Sequence, residues 1–123
     1  HLFQVRPGGV AELAQTEETA EAASFLGYAP ETSESLAEKC RIGSAPLEDP
    51  VAVVLASEGL SEHRIGVEDP PAATRESVET ARKAAPGLRP LEASRSIVEA
   101  ALAAHRENAS GDNICAAVVW VEE

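Results

Sequence analysis

Ser110-Gly111-Asp112-Asn113 runs straight into Ile114-Cys115-Ala116-Ala117-Val118-Val119-Trp120-Val121, and the reading of this stretch decides the fold. Eight consecutive apolar residues are too few to span a bilayer. Their β-branched content and the turn residues before them favour a strand over a buried helix. Both alternating sets are apolar: Ile114, Ala116, Val118 and Trp120 on one side, Cys115, Ala117, Val119 and Val121 on the other. Such a strand is expected to be covered on both faces and to lie centrally in a layered fold. Asp112 would then stand where the strand begins, held rigidly while facing solvent, as a metal or catalytic carboxylate must be. Gly-Asp-Asn is also simply a good turn, since all three residues favour tight bends.

Pro50-Val51-Ala52-Val53-Val54-Leu55-Ala56-Ser57 is a second two-faced apolar strand, and it ends in Ser57-Glu58-Gly59-Leu60. Here a carboxylate emerges at the C-terminal end. If the two strands pair antiparallel, Glu58 and Asp112 come to the same rim, within range of one shared ion. Two carboxylates so placed repel unless a cation or a proton sits between them.

In these motifs the chain resembles the metal-dependent protein phosphatases, the type-2C serine/threonine phosphatases. In that family a buried strand ends in Ser-Asp-Gly-Leu, helical sequence follows, and Asp-Asn opens a last apolar strand. The matching residues are Ala56-Ser57-Glu58-Gly59-Leu60 and Gly111-Asp112-Asn113-Ile114, with an alanine-rich amphipathic run from Leu91 to Asn108 before the second motif. Leu2-Phe3-Gln4-Val5-Arg6, the Pro7-Gly8-Gly9 turn and Val10 to Thr16 are similar to the family's hairpin. The likeness runs in register from the first residues to the last, and order and spacing carry it. It implies an α+β fold, a mainly antiparallel sheet flanked by helices, like the C-terminal half of the αββα phosphatase sandwich. It also implies Mn²⁺ or Mg²⁺ held by Glu58 and Asp112, with Gly59, Asn113 and His63 as site neighbours, and a phosphoprotein or regulatory protein as partner.

The departures from the family shape the functional expectation. Glu58 stands where the family has aspartate. The family's N-terminal half supplies a phosphate-binding arginine, an Asp-Gly metal pair and a histidine; this sequence has no Asp-Gly dipeptide. Three readings follow. The chain is the C-terminal part of a type-2C-like phosphatase, catalytically incomplete alone. Or it is a pseudophosphatase or regulatory interaction module that keeps the scaffold. Or it is an unrelated acidic αβ interaction domain whose turns happen to match.

At 123 residues the chain is expected to form one domain, 1–123, around a single core. With 3% aromatic residues and no methionine, that core must be built from Ala, Val, Leu and Ile. The net charge of −11 argues against a nucleic-acid surface, which needs a basic stripe. It suits basic partners or a cation site. Cys40 and Cys115 are expected to be buried thiols, in a helix and in the last strand. No signal peptide, transmembrane run or lipidation motif is recognisable, which points to the cytoplasm; Asn108-Ala109-Ser110 is then a chance glycosylation match. Opening directly on a strand points to further sequence upstream of His1.

Residues 1 to 14 read as a hairpin, with Phe3 and Val5 alternating with half-exposed Gln4 and Arg6, and with Pro7-Gly8 at the centre of a type II turn. Helices are expected over Thr16 to Gly27 and from Thr32 or Ser33 to Cys40. The loop 41–50 would be anchored by Leu47, and Ser61 to Gly66 would form one turn. Asp69-Pro70 is a helix start, with a body from about Thr74 to Ala85 burying Val78, Ala81 and Ala85. A longer helix from Pro90 should bury Leu91, Ser94, Ile97-Val98, Ala101-Leu102 and His105.

The histidines differ in promise. His1 is expected to be mobile, His63 to approach the Glu58 rim, and His105 to act as a helix cap through the dipole. No Cys/His spacing fits zinc, no serine with a base and an orienter can be assembled, and Ser57 is expected to hydrogen-bond at its strand end. Neither a P-loop nor a dinucleotide fingerprint is present. The two-faced strands place all four strands in one antiparallel sheet with both C-terminal helices on one face. The other face would then be left for a partner sheet or a second copy, a homodimer.

Overall fold

The computed structural model describes residues 1–14, 32, 34 and 43–121. The helices expected over 16–27 and 33–40, and Cys40, lie outside the described residues. The chain divides into two compact units, His1–Gln15 with Leu47–Glu123, and Thr16–Pro46. The second unit is described only at 32, 34 and 43–46, so the fold below is that of the first.

Four strands, β1 (Leu2–Arg6), β2 (Gly9–Ala14), β3 (Ala52–Ala56) and β4 (Ala116–Trp120), form one antiparallel sheet in the order β2-β1-β3-β4. Arg6 pairs with Gly9 across the Pro7-Gly8 turn, where Gly8 has φ +72°. That left-handed value is what the second centre of a type II turn requires and what glycine adopts without strain. Two helices, α1 (Pro70–Ala81) and α2 (Arg89–Glu107), cover one face. The α+β class and the antiparallel sheet follow the sequence expectation.

The core is the inner face of the sheet against the helices. Phe3, Val5, Ala52, Val54 and Ala56 come from the strands, Val78 and Ala81 from α1, and Ala93, Ile97 and Ala101 from α2. Leu60, fully buried, closes the end below Ala56. Full burial of each Leu, Ile, Val or Phe side chain contributes about 1.5–3 kcal/mol, so these few positions hold the unit together.

Several expectations are corrected. The last strand is an edge, not a central strand, because β3 alone pairs with it among the described residues. Only its even-numbered residues turn toward the helices. Cys115 and Val119 are exposed rather than buried, and Leu55 on β3 shares that open face. Gln4, expected half-exposed, is fully enclosed between β2 and β3, with Nε2 donating to Glu48 O at 3.5 Å. Leu47 does not anchor its loop: it is 55% exposed.

Helix α1 begins at the expected Asp69-Pro70 start. Pro70 needs no N–H partner at the first position, and the Asp69 carboxylate accepts from Ala72 N at 2.9 Å, an N-cap. The helix ends at Ala81, which leaves Ala85 outside it and exposed. On α2 the buried stripe is Ala93, Ile97, Ala101 and His105, a strict spacing of four. Leu91 is 62% exposed and Leu102 lies at the surface. Alanine lets the helix axis approach the sheet closely, so the seam follows the small side chains and rotates the leucines outward.

Candidate functional site

The site is the rim where β3 ends and the approach to β4 begins. The antiparallel register pairs Ala56 with Ala116, which brings the residues after one strand beside those before the other. Ser57 N donates to Cys115 O, and Cys115 N donates to Ser57 Oγ, both at 2.9 Å. Ser57 is thus the strand-end hydrogen-bonder expected from its position. Beyond it, Glu58–Leu60 forms a 3₁₀ turn packed directly on the opposite strand's approach. A Cβ placed on Gly59 would lie 2.1 Å from Asn113 O and 2.9 Å from Asn113 C. Only glycine permits that contact.

His105 holds the same turn from below. It lies in the last turn of α2, as a capping histidine would, but its ring is buried and Nε2 donates to Gly59 O at 2.7 Å. No sequence signal marks this bond across 46 residues. Asn108 Nδ2 donates to Ile65 O at 3.1 Å, tying the end of α2 to the turn over residues 62–66, where Glu62 O accepts from both Ile65 N and Gly66 N.

His1 is not mobile. Its ring stacks on Phe3 with centroids 5.4 Å apart, its backbone nitrogen donates to Ala56 O, Nδ1 meets the Glu12 carboxylate, and Nε2 meets Ser61 Oγ. An acid, an imidazole and a serine do therefore stand in line, contrary to expectation. The imidazole side chain is only 9% exposed, and the Ser61 N–H is used by Glu58 O rather than aimed at a substrate oxygen. We read Glu12-His1-Ser61 as a clasp between the hairpin and the rim.

Glu58, Glu62 and Asp112 converge above these ties. The Glu62 carboxyl is held above its ordinary value of 4.5, first by a hydrogen bond with the Glu58 carboxyl, then by lost hydration, then by the charges of Glu58 and Asp112; the His63 imidazole opposes the shift. Glu58 and Asp112 thus both act on a third carboxylate, Glu62, which the sequence reading missed. Its spacing of four from Glu58 was the available signal. His63 is exposed beside the cluster, and Asp112 Oδ1 accepts from Asn113 N at 2.7 Å. Among the described residues, no three Asp, Glu, His or Cys side chains are arranged to hold a metal ion.

Because the folded state holds a proton on Glu62 more tightly than the unfolded chain does, this interaction favours folding below about 4.5, the ordinary carboxyl value. That contribution is lost as pH rises through the raised value. Glu62→Gln is accordingly expected to raise the melting temperature at pH 7, with the gain vanishing at acid pH. Thermal melts of both proteins across that range check it.

A scan against family models, a search of curated proteins and a search of solved structures return no match to this chain. Among the described residues no helix is long and apolar enough to cross a membrane. What the chain does must therefore be argued from the rim.

Proposed function

We propose that this chain is the C-terminal part of a type-2C-like metal-dependent serine/threonine protein phosphatase, catalytically incomplete by itself and acting on phosphoproteins in the cytoplasm. The observation that supports this reading is the rim. Ser57-Glu58-Gly59-Leu60 and Asp112-Asn113, the two motifs that carry the resemblance, meet, with Gly59 pressed on Asn113. The order of hairpin, strand, two helices and last strand accords with it.

In the family it resembles, Mn²⁺ or Mg²⁺ supplies an acidified water for attack on a phosphoester. Here Glu58 and Asp112 would hold such an ion only weakly. Mg²⁺ asks for about six oxygens at roughly 2.1 Å with little tolerance. Glu58 carries its carboxylate about 1.5 Å, one carbon–carbon bond, beyond the reach of an aspartate. A second reading, a pseudophosphatase that retains the scaffold for binding, draws on the Glu58 carboxyl being engaged with Glu62.

Calorimetric titration with Mn²⁺ and hydrolysis of p-nitrophenyl phosphate in excess Mn²⁺ test the proposal. The expected result is no turnover and binding no tighter than about 0.1 mM, with Glu58→Asp tightening it about tenfold, or about 1.4 kcal/mol. Micromolar binding or steady turnover by the chain alone, abolished by Asp112→Ala, would overturn the claim that it is incomplete. An unchanged affinity in both Glu58→Asp and Asp112→Ala would overturn the family reading.

A further inference from the structure

The edge of β4, unpaired among the described residues, is the feature that neither the rim nor its chemistry uses. Val121 N donates to Val51 O and Ser57 N donates to Cys115 O, so the odd-numbered residues of this strand turn their backbone groups toward β3. The N–H and C=O groups of Ala116, Val118 and Trp120 therefore point the other way. Among the described residues no strand pairs with them.

Edges left like this are normally guarded by charge, proline or a bulge. The opposite edge, β2, has such guards: Glu12 within it and a register break against β1. β4 has none. Its register on β3 is regular, and residues 113–121 contain no charged residue and no proline. Beside the edge, the open sheet face presents Leu55 at 50%, Val119 at 58% and Val121 at 43% exposure.

Charge decides between occupants. The neutral strand opens beside an acidic rim, Asp112 with Glu58 and Glu62, and the sequence after it continues as Glu122-Glu123. Pairing with a second copy joins two chains of net charge −11, and like charges brought together are destabilising. A strand with basic ends meets the opposite situation.

We propose that the β4 edge docks an extended segment of another protein, apolar at alternate positions and basic at both ends, as an added fifth strand. Backbone bonds to Ala116, Val118 and Trp120 would supply affinity. The alternate apolar side chains would extend the open face beside Val119, and the basic ends would select this edge.

The test uses a short synthetic peptide that alternates threonine and valine between two Lys-Arg pairs, and a counterpart with Glu-Glu pairs in their place. Trp120 is the single tryptophan, so its emission reports on the strand end while peptide anisotropy reports binding. Saturable binding of the basic peptide is expected, at least about tenfold tighter than that of the acidic one and weakened by salt over a Debye length of about 10 Å at 0.1 M. Amide exchange of Ala116, Val118 and Trp120 should slow on peptide addition, whereas Ala117 and Val119 are protected beforehand. Val119→Lys, at an exposed position, should weaken binding about tenfold while its thermal melt stays close to the parent's. No saturable binding, equal binding of the two peptides, or protection of other amides would overturn the proposal. Protection of Ala116, Val118 and Trp120 without peptide, rising with protein concentration alongside a dimer mass in light scattering, would overturn it in favour of a second copy.

Discussion

Gly59→Ala is expected to lower the melting temperature by about 15 °C, equivalent to a loss of about 3 kcal/mol. The added Cβ would sit 2.1 Å from Asn113 O and 2.9 Å from Asn113 C. Both atoms are backbone, so no side-chain rotation relieves the contact. The β3–β4 ladder ends two residues away, with Ser57 already bonded to Cys115 through two hydrogen bonds. Relief must therefore come from parting the strand ends or unwinding the Glu58–Leu60 turn, which would lift Leu60 from the core. Gly111→Ala is the control, since a Cβ there meets nothing within 4 Å. Thermal circular dichroism of the two variants checks the pair. A Gly59→Ala protein melting with its parent would mean that the rim is not closed as described.

His105→Ala is expected to cost about 3 kcal/mol in urea unfolding, with an unchanged denaturant slope. Two effects combine. Removing the enclosed ring leaves a cavity at the base of α2, and Gly59 O loses its buried donor, an omission worth about 1–3 kcal/mol. His105→Gln, which can offer an N–H to the same carbonyl, should recover part of the loss; His105→Leu, which fills the space without a donor, should recover the packing part alone. Because His105 and Gly59 support the same turn, the double variant Gly59→Ala/His105→Ala should lose less than the sum of the two. Strict additivity would show that the bond does not join α2 to the rim.

The elements were legible wherever local chemistry governs. The two apolar strands, the Pro7-Gly8 turn and the Asp69-Pro70 helix start each depend on a handful of neighbouring residues, and each lies where expected. So does the convergence of the carboxylate-bearing strand ends, because it follows from antiparallel pairing alone. Misjudged positions were those where a side chain's fate is set by something distant. Leu91 and Leu102 looked like core residues by hydropathy, but the close approach of α2 along Ala93, Ile97 and Ala101 turned them out. Gln4 looked like an outward residue, and it is enclosed, with Nε2 donating to Glu48 O in the loop before β3.

By itself, the sequence determined that the first unit is an antiparallel sheet carrying helices on one face, and that Glu58 and Asp112 end up at one rim. Periodicity and turn chemistry act over a few residues, so they can be read in order along the chain. Tertiary structure alone decided that β4 is an edge with an open face, that Glu62 joins the rim, that His1 bridges Glu12 and Ser61, and that His105 props Gly59. The ties of His1 and His105 join segments far apart in sequence, and their energy depends on geometry that exists only after the sheet has closed.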